Sequence, residues 1–146
     1  MEKIASFQKD HDKLQPGLYA QTDKNLITTF DLRFKKPNSG DYITPKALHT
    51  IEHLLATVLR NSEKKDDIVY FGPMGCRTGF YLLTLRLSFN EVLSLLKESI
   101  KTALTLEEVP GSKREECGNY LEHDLAAAKE ELKNYLHILD GVEAHS

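Results

Sequence analysis

The stretch that most constrains how this chain can fold is LHTIEHLLATVLRN, residues 48–61. Leu48, Ile51, Leu55 and Leu59 recur at helical spacing and would form one apolar stripe. Thr44 is placed to cap that helix, Pro45 suits its first position, and the pattern stops near Asn61. Into this run the sequence sets His49, Glu52 and His53. The two histidines are i and i+4, about 40° apart on the helix and one turn above each other. They fall at the margin of the stripe, with Glu52 between it and His49. An imidazole at a core edge costs free energy unless its nitrogens are used. Two at this spacing can converge on one cation, as in zinc-binding helices. Hydrogen-bonded histidines at a core edge are the alternative.

The rest of the chain surrounds that helix with strands. GLYAQTDKNLITTFDLRF reads as two strands about a TDKN turn, Thr28, Phe30, Leu32 and Phe34 alternating with Ile27, Thr29, Asp31 and Arg33. KPNSGD breaks that pattern before the helix begins. DIVYFGPM and GFYLLTLRL are β-rich runs around a glycine-bracketed turn that holds Cys76. Ser88 and Glu91 have capping-box spacing, opening an amphipathic helix expected to reach about Val109-Pro110. A third helix is expected over YLEHDLAAAKEELKNYLHIL, stopped by Asp140-Gly141. This order predicts an α+β fold, an antiparallel β-sheet with helices packed on it.

Bulk properties narrow the function. At 146 residues without repeat or linker, residues 1–146 read as one domain. A net charge of −3 gives no electrostatic case for nucleic acid or an anionic membrane. No apolar run approaches the roughly 18 residues of a membrane span, and MEKIASFQKDHDKL lacks a signal-peptide apolar stretch. The expected address is cytoplasmic. There, Cys76 and Cys117 would serve metal ligation, catalysis or packing rather than a disulfide.

Two histidines leave a metal short of at least one protein ligand, and a thiolate is the obvious donor. Cys117 precedes the third helix, whose N-terminal N–H groups would favour an ionised sulfur; a small packed cysteine is the alternative. His123 and Asp124 read as surface or capping residues, with a place beside the metal ligands as the other option. Cys76 lies in GPMGCRTGFYL, where Gly72, Gly75 and Gly79 allow close approach of a small molecule. Arg77 would favour a thiolate there if its side chain turned inward. A metal with three protein ligands keeps an open position and polarises a bound oxygen, while Glu52 and Cys76 are placed to move protons beside it. If the oxygen belongs to a sugar carbonyl, that set suits enolisation. If it belongs to water, the H-x-x-E-H order of HTIEH suits an inverzincin-like metallopeptidase. A peptidase has no use for the second cysteine, and no clear acidic third ligand follows in a helix after the motif. A metal-stabilised binding module without activity is the third class.

SFQKDH, FDLRFKKPN, HTIEHLLA, GPMGCRTGFYL and CGNYLEHDL, in this order and at these intervals, resemble the S-ribosylhomocysteine lyase family, the bacterial enzymes that make the precursor of the quorum-sensing signal autoinducer-2. The resemblance covers nearly the whole chain. It implies a carbon–sulfur lyase of the methyl cycle that converts S-ribosylhomocysteine to homocysteine and 4,5-dihydroxypentane-2,3-dione, without redox. It further implies His49, His53 and Cys117 as metal ligands, Glu52 and Cys76 as the acid/base pair, and Ser6, His11 and Arg33 as substrate contacts. Fe2+ is the implied native metal, with Zn2+ or Co2+ as substitutes, since N/N/S ligation suits all three. The implied assembly is a homodimer with active sites at the interface. The chain departs from the family at Tyr70 and Gly72, commonly Asp and Ser, at Lys35, often Cys, and in a shorter TDKN turn.

Overall fold

The computed structural model describes residues 9–145; Ser6 therefore lies outside the described residues. The first alternating segment folds as a hairpin of β1 (Gly17–Thr22) and β2 (Ile27–Arg33). Its turn is built by Asp23, whose Oδ1 accepts from the N–H groups of Asn25 and Ile27 at 2.8 and 3.1 Å. A second hairpin joins β3 (Ile68–Pro73) to β4 (Gly79–Leu85). The four strands form one antiparallel sheet in the order β1-β2-β4-β3.

Cross-strand register sorts the side chains into two faces. Leu18, Leu32, Phe80 and Pro73 stand in one row, and Ala20, Phe30, Leu82 and Phe71 in the next, on the side that faces the helices. Tyr19, Asp31, Tyr81 and Gly72 make an outer-face row, followed by Gln21, Thr29, Leu83 and Tyr70. Phe30, Leu32, Phe80 and Leu82 are fully buried in a core shared with the helices. Gly79 is required by the close pairing of β2 and β4, because a Cβ there would overlap the Leu32 carbonyl oxygen.

Helix α1 (Pro45–Arg60) begins and ends as its sequence predicts, with Thr44 accepting from the Ala47 N–H and Asn61 at the C-cap. Its buried face is broader than a four-leucine stripe: Ala47, Thr50, Ile51, Leu54, Leu55 and Leu59 are buried, while Leu48 is only half-buried. The reason is that α1 packs against β3 and both other helices at once. Helix α2 (Phe89–Leu104) has the expected capping box between Ser88 and Glu91 but stops short of Val109-Pro110. Glu107 and Glu108 would sit badly at a helix C-terminus, and Pro110 restricts the residue before it. Helix α3 (Leu125–Asp140) starts later than Tyr120. Asp124 is held extended because its N–H donates to Thr50 Oγ1 of α1 at 2.9 Å while its carboxylate caps the Ala127 N–H. The early end of α2 and the late start of α3 leave residues 105–124 as a long loop against the polar margin of α1. Among the described residues no helix is long and apolar enough to cross a membrane.

Candidate functional site

The loop over 105–124 uses the nitrogens of α1's histidines. The Nδ1 atoms of His49 and His53 each lie 2.8 Å from a main-chain carbonyl oxygen, those of Glu122 and Pro110. A carbonyl can only accept, so both Nδ1 atoms carry hydrogen and both Nε2 lone pairs are left free. Those Nε2 atoms lie 3.5 and 3.8 Å from the sulfur of Cys117. His123 joins them, its Nε2 3.9 Å from the same sulfur and its Nδ1 3.0 Å from Thr50 Oγ1. The four donor atoms all lie within 4.8 Å of one another. The His123 ring stacks on that of His49 at 4.2 Å, and His53 meets both edge-on. Burial, with the neighbouring His49 and His53, holds His123 below the usual imidazole range.

The imidazole nitrogens of His49 and His53 and the sulfur of Cys117, with His123 beside them, form a donor set suited to a borderline-soft divalent transition metal. The carbonyls of Glu122 and Pro110 are the outer partners that such histidines need for a fixed ring and tautomer. Cys117 reaches the cluster differently from the sequence-based expectation. It lies well before α3, not at that helix's N-terminus, and its own N–H donates to the Lys113 carbonyl at 3.0 Å. The sequence points to a surface or capping role for His123; the fold gives capping to Asp124 and turns His123 into the cluster. The Cys117-to-His123 spacing was the available signal. Gly111 was missed altogether. It has a φ of +66°, and a Cβ there would stand 3.4 Å from His53 Nδ1. Glu52 is half-buried on the same edge of α1 and makes no hydrogen bond or ion pair with any described residue.

Cys76 belongs to a second region, the turn between β3 and β4. It is exposed and opens onto a cleft of about 420 Å³ with His11, Arg33, Asn38, Tyr42 and Thr78 among its walls. Neither the four metal-donor residues nor Glu52 lines that cleft. Arg33 is buried on the outer face of the sheet, 1% exposed. Its Nε and Nη2 donate to the two oxygens of Asp31 at 3.1 and 2.6 Å, and Lys9 Nζ adds a contact to Asp31 at 2.6 Å. The remaining Nη1 donates to Thr78 Oγ1 at 2.8 Å, and that oxygen lies 3.0 Å from Cys76 Sγ. Arg77 turns elsewhere, donating to the Ile43 carbonyl at 3.2 Å with its guanidinium over the Tyr42 ring. Nothing crowds Gly75, whereas Gly72 leaves room for the Tyr70 ring folded across it.

Residues 4–145 match the family described as S-Ribosylhomocysteinase (LuxS). A curated S-ribosylhomocysteine lyase of Borreliella afzelii is 46% identical over 150 aligned residues, covering 98% of this chain and 96% of its own. Another from Phocaeicola vulgatus is 46% identical over 94% of this chain and 89% of its own. A third, from Clostridium acetobutylicum, is 45% identical over 97% and 94% respectively. A match of this extent sets aside the metallopeptidase reading of HTIEH and the inactive binding module. The chain belongs to the S-ribosylhomocysteinase (LuxS) family.

Proposed function

We propose that this protein cleaves S-ribosylhomocysteine to homocysteine and 4,5-dihydroxypentane-2,3-dione, the autoinducer-2 precursor. The observation that carries the reading is the convergence of His49, His53 and Cys117 on one point of a chain so similar, end to end, to curated lyases of that name. These three would hold a divalent metal, Fe2+ natively with Zn2+ or Co2+ as substitutes. When bound, it supplies Lewis acidity toward a carbonyl oxygen. His123 is the hydrogen-bonding neighbour of the position left for that oxygen. Its Nδ1 partner, the buried Thr50 hydroxyl, already accepts from the Asp124 N–H and gives its hydrogen to Nδ1, which leaves Nε2 to donate.

The chain's own residues would do the proton work. From the open-chain aldehyde, a proton leaves C2 and one is delivered to C1, giving the 2-ketone. A second transfer, from C3 to C2, moves the ketone to C3. The C4 proton is then acidic, and its removal expels the homocysteine sulfur from C5; the resulting enol tautomerises to the dione. Glu52, unpaired by any described residue, and Cys76, open to its cleft, are the two proton carriers, working from opposite sides of the sugar. His11 and Arg33, with Ser6 from the N-terminal segment, would position the substrate.

Within one chain the cleft that holds Cys76 is separate from the metal-donor cluster and Glu52. This supports a homodimer in which the second copy brings the two halves together. Both cysteines are free thiols, which suits a reducing cytoplasm.

Thiol release from S-ribosylhomocysteine under anaerobic conditions, with metal analysis alongside, tests the reading. Cys76→Ala should keep its metal and lose at least about a hundredfold in turnover. His53→Ala should lose both metal and turnover. Normal turnover by the Cys76→Ala protein would refute the role given to the thiol.

A further inference from the structure

We propose that Thr78 is a positioning residue for Cys76, presenting a hydroxyl hydrogen to its sulfur under the control of the buried Asp31–Arg33 pair. The inference rests on Cys76 being a proton carrier, as proposed above, and adds what prepares it.

The argument is one of hydrogen-bond direction. A guanidinium only donates, so at 2.8 Å Thr78 Oγ1 must accept from Arg33 Nη1. Thr78 is 1% exposed, which keeps water from its hydroxyl. Among the described residues, Cys76 Sγ at 3.0 Å is the only other polar atom bonded to that oxygen. If the sulfur donated to it instead, the threonine hydrogen would be buried without a partner, a costly state. The hydroxyl therefore points at the sulfur. Donation from Arg33 polarises that O–H bond and strengthens what it offers. Asp31, itself 1% exposed and held by Lys9, fixes the guanidinium with two bonds, so the direction is set three residues deep. The result is a sulfur supported by a buried hydrogen that has nowhere else to go. Arg33 acts on Cys76 through Thr78, with most of its hydrogen-bonding capacity already spent inside the protein.

The metal-loaded protein should be treated with iodoacetamide at neutral pH and the modification of Cys76 followed by peptide mass spectrometry, which separates it from Cys117. Thr78→Val, isosteric but without the hydroxyl, should slow alkylation of Cys76 on the order of tenfold. Thr78→Ser should restore it to within about twofold of the parent. In the lyase assay the valine variant should lower kcat with KM unchanged. If Thr78→Val does not fold, Thr78→Ala against Thr78→Ser makes the same comparison without steric conflict. Equal alkylation rates with and without the hydroxyl would overturn the proposal. Because alkylation needs no substrate, that result would stand apart from a failure of the lyase assay in the parent protein.

Discussion

At the scale of single residues, what decides chemistry here is which partner can only give or only take a hydrogen. His49 and His53 become donors to a metal because main-chain carbonyls claim their Nδ1 hydrogens. Thr78 is directed at Cys76 because Arg33 can do nothing but donate. Lys35, one of the departures from the family pattern, shows the same logic in stability. Burial works against its charge, but Glu131 at 2.8 Å and Asp41 at 3.3 Å outweigh that and hold the ammonium above its usual range. A raised folded-state value stabilises the protein fully below the unfolded lysine value and loses that effect as pH rises through the folded one. Urea unfolding of parent and Lys35→Met should thus differ by a constant amount around neutrality. The difference should shrink at pH above 10.5, the ordinary lysine value, and again in acid once Glu131 and Asp41 are protonated. A difference that stayed unchanged as pH rose well past that lysine value would contradict this.

At the scale of elements, the loop over residues 105–124 matters as much as the helix it covers. It exists because α2 ends at Leu104 and α3 waits until Leu125. It carries Cys117, His123 and both carbonyls that orient the α1 histidines. Gly111 lets it turn at a positive φ beside His53. Gly111→Ala should cost about 1–2 kcal/mol through the left-handed backbone alone. By disturbing the Pro110 carbonyl, it should also weaken metal binding roughly tenfold or more in a competition titration with a chromogenic chelator. Gly141→Ala is the control, since Gly141 caps α3 at a negative φ far along the chain from the cluster. Its metal affinity should match that of the parent.

At the scale of the whole molecule, among the described residues helices cover one face of the sheet only. Its outer face bears exposed Tyr19 and Tyr70, Tyr19 directly opposite Asp31 of the buried Asp31–Arg33 pair. The proposed homodimer predicts sedimentation at twice the chain mass and loss of that mass in Tyr70→Glu, with turnover falling in parallel. A monomer with full activity would exclude shared sites. Metal should also act as a structural tie, because its donors join α1 to the 105–124 loop. Chelation is expected to lower the melting temperature and to open that loop to limited proteolysis, while the sheet stays protected.

The sequence alone determined what depends on near neighbours along the chain. The i,i+4 pair on α1, its Thr44 cap, the Ser88 capping box and both hairpins follow from helical and strand periodicity, and each appears where that periodicity puts it. The five quoted motifs identified the family in the same way, by order and spacing. What needed the fold was every pairing across long separations. His49 meets the Glu122 carbonyl 73 residues away, Arg33 meets Thr78 across 45, and the start of α3 is delayed by a contact between Asp124 and Thr50 that its own pattern does not encode. Helical periodicity puts Leu48 in the core stripe and gives no sign of Thr50, yet it is Thr50 that is fully buried, where it holds Asp124 and His123 in place. A polar atom's role is set by the partner that burial forces on it, and only tertiary packing decides which partner that is.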